Sequence, residues 1–540
     1  MRGLFAGRGF ARLDRGLRRS LPHPDRALAA KAFDPRFYLA ANADVAAAGM
    51  DPLSHFLEFG WREGRNPTPD FSIEAYLAAF PDVAVSDLNP FVHYLKAGKP
   101  RLLPADPPQG FRGEILQRLE PVEDRLKAVL AKPITLSRTE DLAQAMGRSV
   151  TGLTALHITF SHDDFTAHMG GLQAALQREA AGVAQQGRDH LHVYPIHPWP
   201  LVRTSAEPGG LGAVWNGARL GVFSAASVSQ VLAAATAGTT SGGRSFAIHS
   251  LLGHTADETC DILNAAGLSE GYFWLHDFAS LCAGFHLLRN DVEDCGAPAP
   301  GSAACGVCVY GPWRARHLRE HARLFERLNL TVVAPSQATL DFWRSRSPLA
   351  AAASAVLPHA TLQRREAAPV TVDRPFRMVY AGLPVAHKGW PIFQALAVQF
   401  FDDPRYQFIH LGARTAANLP IRFEQVVVSS ATPQAMRDAL AAIEADAVLV
   451  WPLCRETFSF VAYEAVAAGC AIVTGPDSGN VAAFVAEGEH GQVIADEAAL
   501  MAAFASGEIL SLSRAVRRPM LYDLAYSALT ADLALPGRPA

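Results

Sequence analysis

The chain has 540 residues, 49% of them hydrophobic and 19% charged, with a formal net charge of −4. That length exceeds what one hydrophobic core organises and implies about two to four domains, while the composition excludes extended disorder and the small negative charge gives no general pull toward nucleic acid. Seven cysteines are too few for a disulfide scaffold at this length, and no apolar run reaches the roughly 18 residues that span a bilayer, so the expectation is a cytoplasmic protein in a reducing compartment.

Residues 1–30 carry arginines throughout and lack the apolar stretch of a secretory signal. They read either as a basic patch for peripheral association with an anionic membrane face or as a solvated tail. Residues 31–105 show themselves by repetition. Tyr38, Asp44, Pro52, His55 and Gly60 recur as Tyr76, Asp82, Pro90, His93 and Gly98, each shifted by 38 residues. A strict period of this length marks a duplicated supersecondary unit. "DPLSHFLEFG" and "NPFVHYLKAG" predict helices with a cap residue, a proline in the first turn and a glycine stop. His55 and His93 fall on the apolar side and read as packing rather than ligation. The unit holds no catalytic candidate and reads as an interaction module.

Residues 106–150 follow a proline- and charge-rich stretch and predict a helical, polar connector. From residue 151 to 370, apolar runs alternate with helical stretches: "ALHITFS", "LHVYPIH", "SFAIHS", "YFWLHD" and "TVVAPS". From 371 to 515 the rhythm restarts with "FRMVYAG", "YQFIHLG", "FEQVVVSS", "ADAVLVWP" and "CAIVTG". Strands alternating with helices predict parallel sheets covered on both faces, so the fold class is α/β: two Rossmann-like domains facing a cleft, preceded by a small helical repeat domain. Residues 516–540 read as a terminal helix and tail. Ligands of such sheets bind beyond the carboxyl ends of the strands. His162-Asp163-Asp164, His249, His276-Asp277, Ser336, Lys388 and Glu456 all fall there.

In "CRETFSFVAYEA", Glu456 stands at the mouth of a helix and Glu464 two turns into it. A helix N-terminus with free N–H groups and a positive dipole end suits a phosphate. A carboxylate beside it suits sugar hydroxyls, and the second carboxylate suits a ribose diol. The spacing fits a nucleotide sugar; the competing reading is one helix-dipole glutamate and one solvated glutamate. This stretch, with "AVAAGCAIVTGPDSGNVAAFV" after it, resembles the donor-binding signature of retaining glycosyltransferases of family 4, which have the GT-B fold. "FRMVYAGLPVAHKGW" is similar to the first strand and loop of the donor domain in that family, "ITFSHDDFTAHMGGLQAAL" to its glycine loop, and "FWLHDF" to the strand end whose histidine lines the reaction centre. The likeness spans roughly residues 155–510.

The resemblance implies Glu456 and His276 at the reaction centre and Lys388 on the leaving diphosphate. It implies Glu464 on the ribose, backbone amides of Thr457, Phe458 and Ser459 toward the sugar, and Gly170 and Gly171 under donor and acceptor. It implies transfer of a hexose, with retention, from a nucleotide diphosphate sugar to a saccharide or lipid-linked acceptor in surface polysaccharide synthesis, without a catalytic metal or other cofactor. Two departures stand out. The arginine expected shortly after the glycine of "AGLPVAHK" is missing, and Thr457-Phe458-Ser459 replaces a glycine-rich turn. Alternatives are a nucleotide-sugar epimerase or phosphorylase on the same fold, or a non-catalytic polysaccharide-binding or scaffold protein on a decayed core.

Cys282, Cys295, Cys305 and Cys308 hold four of the seven cysteines within 27 residues. Their single C-x2-C pair leaves two readings open: a structural zinc site, or four reduced thiols with redox activity.

Overall fold

The computed structural model describes residues 23–99, 110–239, 243–367, 374–415, 418–429 and 431–533. The membrane-surface expectation for the basic start rests chiefly on residues 1–22, and the end of the expected tail on 534–540; both lie outside the described residues. The chain divides into two compact units, residues 1–105 and 106–540.

In the first unit each repeat contributes three short helices: Pro35–Ala41, Ala43–Ala47 and Pro52–His55, the last continued by a π turn over Phe56–Gly60, then Ile73–Ala79, Pro81–Ala84 and Pro90–Lys96. Asp34, Asp51, Ser72 and Asn89 cap these helices through their side chains. Within each repeat the histidine meets its own tyrosine: Tyr38 Oη lies 2.9 Å from His55 Nδ1, and Tyr76 Oη 2.8 Å from His93 Nδ1. The repeated histidines are thus packing groups with a hydroxyl partner. A Cβ on Gly60 would stand 2.0 Å from Tyr38 Oη, so this glycine of the first repeat makes room for the pair.

The strands of the second unit, in chain order, begin with β1 (Leu156–Phe160), β2 (Asp189–Pro195), β3 (Leu211–Trp215), β4 (Ala218–Phe223), β5 (Ser245–Ile248) and β6 (Glu270–Trp274). A two-residue hairpin follows, β7 (Leu288–Arg289) and β8 (Glu293–Asp294), then β9 (Asn329–Ala334), β10 (Ala353–Val356) and β11 (Ala360–Ala367). The rest are β12 (Phe376–Ala381), β13 (Tyr406–Gly412), β14 (Arg422–Gln425), β15 (Ala447–Leu449), β16 (Ala471–Thr474), β17 (Gly491–Val493) and β18 (Met520–Tyr526). All ten runs read from the sequence overlap a strand, but in "FEQVVVSS" the strand β14 ends at Gln425, before the three valines.

One sheet runs β10-β9-β6-β5-β1-β2-β3-β4, parallel except for the antiparallel β2–β3 and β3–β4 pairs. The other runs β14-β13-β12-β15-β16-β17 and is parallel throughout. Each is wrapped by its own apolar core. This is the two-lobed α/β arrangement expected for a GT-B fold. The order reverses at β1/β5 in one lobe and at β12/β15 in the other, the places where doubly wound sheets open a crevice.

Two regions differ from expectation. Residues 110–150 form helices Phe111–Gln117, Val122–Leu130 and Thr139–Met146, but they strap both lobes. Phe111 and Ile115 pack on the second core, Leu142 and Met146 belong to the first, and Arg112 bonds Glu497 at 2.6 Å. The expected terminal helix after residue 515 is mostly strand. β18 pairs antiparallel with β11, the segment that leaves the first lobe, because its edge finds a partner there and Leu524 turns inward. The short helix Thr530–Leu533 then returns to the first lobe, where Trp274 Nε1 donates to Thr530 Oγ1 at 2.8 Å.

Candidate active site

Lys388 and Glu456 meet at the switch point of the second sheet. β12 leads through Gly382 into the turn Ala386–Lys388, and Gly389 then reverses the chain at φ +86°. A Cβ on Gly389 would stand 2.1 Å from the Trp451 carbonyl, so the lysine turn is drawn tightly against the end of β15. On the other side, the Glu456 N–H donates to the Ser478 carbonyl at 3.2 Å and its own carbonyl accepts from Asn480 N–H at 2.9 Å. The Lys388 ammonium and the Glu456 carboxylate form an ion pair, with the lysine half-exposed and the glutamate largely covered. Burial alone would lower the Lys388 pKa, but the carboxylate beside it prevails and raises it.

The turn after Glu456 is held by its side chains. Thr457 Oγ1 donates to the His276 carbonyl at 2.8 Å, and the Thr457 carbonyl accepts from Ser336 Oγ at 3.1 Å and Thr339 Oγ1 at 3.0 Å. The threonine therefore clasps the first lobe, and its hydroxyl is taken. Phe458 is buried against Tyr463 and His359. Ser459 caps the helix Phe460–Ala467, accepting from Ala462 N–H at 3.3 Å. What these three residues retain for a ligand is their backbone. The glycine loop lies against the same helix: a Cβ on Gly171 would meet the Phe460 ring at 3.6 Å, and one on Gly170 would meet Gln173 Oε1 at 2.3 Å.

Glu464 is set apart from this surface. It is 6% exposed, and Tyr526 Oη on β18 donates to it at 3.2 Å. Burial pushes its carboxyl up to about 7, against the pull of the Tyr526 hydroxyl, Arg178 and Arg437. It is not the solvated helix glutamate that the spacing left open.

His276 is at the lobe boundary, and the structure gives it partners that the sequence reading did not connect. Its Nε2 lies 2.8 Å from His249 Nδ1, and His249 Nε2 lies 2.7 Å from Glu179 Oε2. Glu179, on the helix Gly171–Gln185, is fully buried, with Oε1 accepting from Thr530 N–H at 3.0 Å and 3.5 Å from His157 Nε2. Burial would raise the Glu179 carboxyl, but the His249 and His157 rings prevail and hold it well below its usual range. Burial, with the His359 and His249 rings next to it, holds His276 well below the ordinary histidine range. His249 carried a signal, its place at the end of β5. Glu179 carried none, since a carboxylate inside an amphipathic helix reads as solvated.

Two cavities are lined by residues of both lobes, and neither has Lys388 or Glu456 in its wall. One of about 370 Å³ is bounded by Arg112 and Asp294 on one side and by Leu453, Asp477 and Ser478 on the other. One of about 310 Å³ is bounded by Arg125, His286 and Asp291 opposite His387. Arg455, beside Glu456, does not replace the missing loop arginine: its Nη2 bonds Asp294 at 2.7 Å.

Cys282, Cys295, Cys305 and Cys308 line one small cavity of about 20 Å³ together with Arg314. Burial pushes the Cys282 thiol up to about 11. Arg314 Nη1 reaches Cys305 Sγ at 3.2 Å. Among the described residues no three His, Cys, Asp or Glu side chains converge as a metal-ligand set. The four cysteines are neighbours, but in this geometry Cys305 is turned to a guanidinium rather than to a shared ligand point.

Residues 393–506, most of the second lobe, match the family profile of glycosyl transferases group 1. No curated protein matches the chain. Among solved structures, sucrose-phosphate synthase from Thermosynechococcus elongatus is similar at 14% identity and TM-score 0.43, covering 67% of this chain and 92% of its own. HepE from Anabaena, in complex with UDP and glucose, is similar at 11% identity and TM-score 0.40, covering 70% and 97%. The α,α-trehalose-phosphate synthase (UDP-forming) from Burkholderia vietnamiensis is similar at 13% identity and TM-score 0.36, covering 67% and 92%. Among the described residues no helix is long and apolar enough to cross a membrane.

Proposed function

We propose that the chain is a glycosyltransferase that moves a hexose, with retention, from a nucleotide diphosphate sugar to a saccharide or lipid-linked acceptor in surface polysaccharide synthesis. The observation that carries the reading is the Lys388–Glu456 pair at the β12/β15 switch point, beside the N-terminus of the helix Phe460–Ala467. An ammonium and a helix N-terminus stabilise a departing diphosphate, where negative charge grows as the glycosidic bond breaks. A diphosphate entering here competes with Glu456 for Lys388 and releases the carboxylate to accept hydroxyl hydrogens from the sugar. Glu464 is one turn and more from the helix mouth and accepts a hydrogen bond from Tyr526 through one oxygen, leaving the other for a ribose hydroxyl. These groups supply the charge stabilisation themselves, so the proposal calls on no catalytic metal.

The second reading, a binding protein on a decayed core, is favoured by the missing loop arginine. Incubation of the full chain with a panel of nucleotide sugars separates the two. Release of nucleoside diphosphate, or transfer to an oligosaccharide, supports the enzyme, and saturable binding without turnover supports the scaffold.

A further inference from the structure

The four clustered cysteines are not equivalent. The chain leaves the short helix Ala303–Gly306 and doubles back so closely that a Cβ on Gly311 would stand 1.9 Å from the Cys305 carbonyl. The helix Gly311–Arg327 starts at that point and returns Arg314 to the thiol just passed. Arg314 Nη1 donates to Cys305 Sγ at 3.2 Å, and Ser302 Oγ donates to it at 3.5 Å. Burial would raise the Cys305 thiol, but these two bonds and the guanidinium charge prevail and lower it. Burial instead pushes Cys282 up to about 11 and raises Cys295 as well. Position separates the cysteines in the same sense. All four line the small cavity of about 20 Å³, but of the four Cys305 alone also lines a neighbouring groove of about 380 Å³, with Ser302, Gly306 and Arg314. A small solute in that groove is next to Cys305. Cys308 is in reach as a partner: both are free thiols, and Cys308 N–H donates to the Cys305 carbonyl at 3.2 Å. Such a turn brings two α-carbons within about 7 Å, close to the roughly 4.4–6.8 Å that a disulfide spans.

We propose that Cys305 is a modification site that reacts with hydrogen peroxide and then closes a reversible disulfide with Cys308, and that this bridge acts on the wall of the 310 Å³ cavity between the lobes. The Cys305 sulfur attacks one peroxide oxygen; the O–O bond breaks, and the other oxygen leaves as hydroxide and takes up a proton to form water. The Cys308 sulfur then attacks the sulfenic acid on Cys305; the S–O bond breaks and a second water leaves. Two thiols are oxidised to one disulfide, and one peroxide is reduced to two waters. The bridged segment is tied to the cavity wall by three hydrogen bonds. Asn290 Nδ2 donates to the Val307 carbonyl and Val309 N–H to Asn290 Oδ1, both at 2.9 Å, and Tyr310 Oη donates to Asp291 at 2.7 Å. Val307 stands between the two cysteines, and Tyr310 and Asp291 line the cavity. Reshaping residues 305–308 is therefore felt at Asp291. Neither chemical step depends on the glycosyltransferase reading.

The test exposes the full chain, reduced and then freed of reductant, to a small excess of hydrogen peroxide and maps its thiols by peptide mass spectrometry. Free thiols should fall from seven to five, with one Cys305–Cys308 bridge that dithiothreitol reverses. In Cys308→Ser the reaction should stop at a sulfenic acid on Cys305, trapped by dimedone. In Cys305→Ser the remaining thiols should survive the same exposure. In Arg314→Gln the oxidation of Cys305 should slow about tenfold, the change in thiolate fraction that one pKa unit brings. Arg314 also donates from Nε to the Leu281 carbonyl, so should that variant fail to fold, Ser302→Ala is read in the same way, with a severalfold slowing. Amide hydrogen exchange over residues 287–294 should differ between the reduced and the bridged chain and stay unchanged by peroxide in Cys305→Ser. Seven surviving thiols, a bridge from Cys305 to Cys282 or Cys295, an unslowed rate in the folded variants, or stoichiometric zinc on the reduced thiols overturns the proposal. Identical exchange over residues 287–294 overturns the link to the cavity.

Discussion

At the scale of single residues, environment separates two glutamates that the sequence presents as a pair. Glu456 faces a cation and Glu464 is enclosed. The folded pKa of Glu464, about 7, lies above the roughly 4.3 of an unfolded glutamate. Its stabilising contribution is therefore fully present below about pH 4 and is lost as pH rises through 7. Glu464→Gln removes that loss. Denaturation of both proteins between pH 5 and pH 8 should show the variant gaining on the wild type as pH rises, by up to about 2–3 kcal/mol; a constant difference would contradict the burial argument. Nucleoside diphosphate affinity should rise more steeply over the same range in the wild type than in the variant if ribose hydroxyls donate to the carboxylate, the titration of the ligand's terminal phosphate being common to both. For Glu456→Ala the expected outcome is different: turnover lost, with nucleoside diphosphate binding retained or tightened because Lys388 is left unpaired. Wild-type turnover in that variant would remove Glu456 from the site.

At the scale of elements, the sequence revealed what period and position encode. Buried parallel strands read as continuous apolar runs, so nine of them were legible, and with them the strand ends bearing Lys388, Glu456 and His276, whereas the valines of "FEQVVVSS" follow the half-exposed β14 rather than form it. Elements stabilised by a distant partner were not legible. β18 reads weakly on its own, since "MLYDLAY" acquires its structure by pairing with β11 some 160 residues earlier. The hairpin β3–β4 had a local signal, the Asn216-Gly217 turn with φ +46° and +83°, which fits a two-residue primed turn; the sequence reading passed over it. The return segment is more than a tail. Leu529 is fully buried and Thr530 N–H donates to Glu179 Oε1. Deleting residues 516–540 should uncover that carboxylate, open the edge of β11 and give an insoluble or strongly destabilised protein; a soluble deletion with an unchanged Tm would show the ribbon to be dispensable. The cysteine segment 282–308 has a sharper expectation. With Cys305 bonded to Arg314 and no converged ligand set among the described residues, reduced protein should carry far less than one equivalent of zinc and melt unchanged in a chelator. Stoichiometric zinc, lost in a Cys305→Ser/Cys308→Ser variant, would establish the metal site that the C-x2-C spacing suggests.

At the scale of the whole molecule, two units rest on separate cores. The core of the first is built of residues between Ala29 and Val92, with Phe56 and Phe91 edge to face at 5.8 Å joining its two repeats. Lys388, Glu456, His276 and the carboxylate behind it all belong to the second unit, and their partners come from residues 157–530 of that unit. Within each repeat the rings pack on one another, Phe33, Tyr38 and Phe56 in the first and Phe71, Tyr76 and Phe91 in the second, so the unit finds its apolar partners among its own residues. Deleting residues 1–105 should therefore leave a second unit that folds, with a Tm within a few degrees of its transition in the full chain, and that still turns over its nucleotide sugar in the absence of a large acceptor. Activity on a long or membrane-borne acceptor should fall in the same deletion, because the removed module has the makings of a docking element and none of a catalytic one. Scanning calorimetry of the full chain should then show two transitions, one of them missing from the deletion. A deletion that stays folded and binds nucleoside diphosphate, yet has lost all turnover on a short acceptor, would place the repeats in the active site.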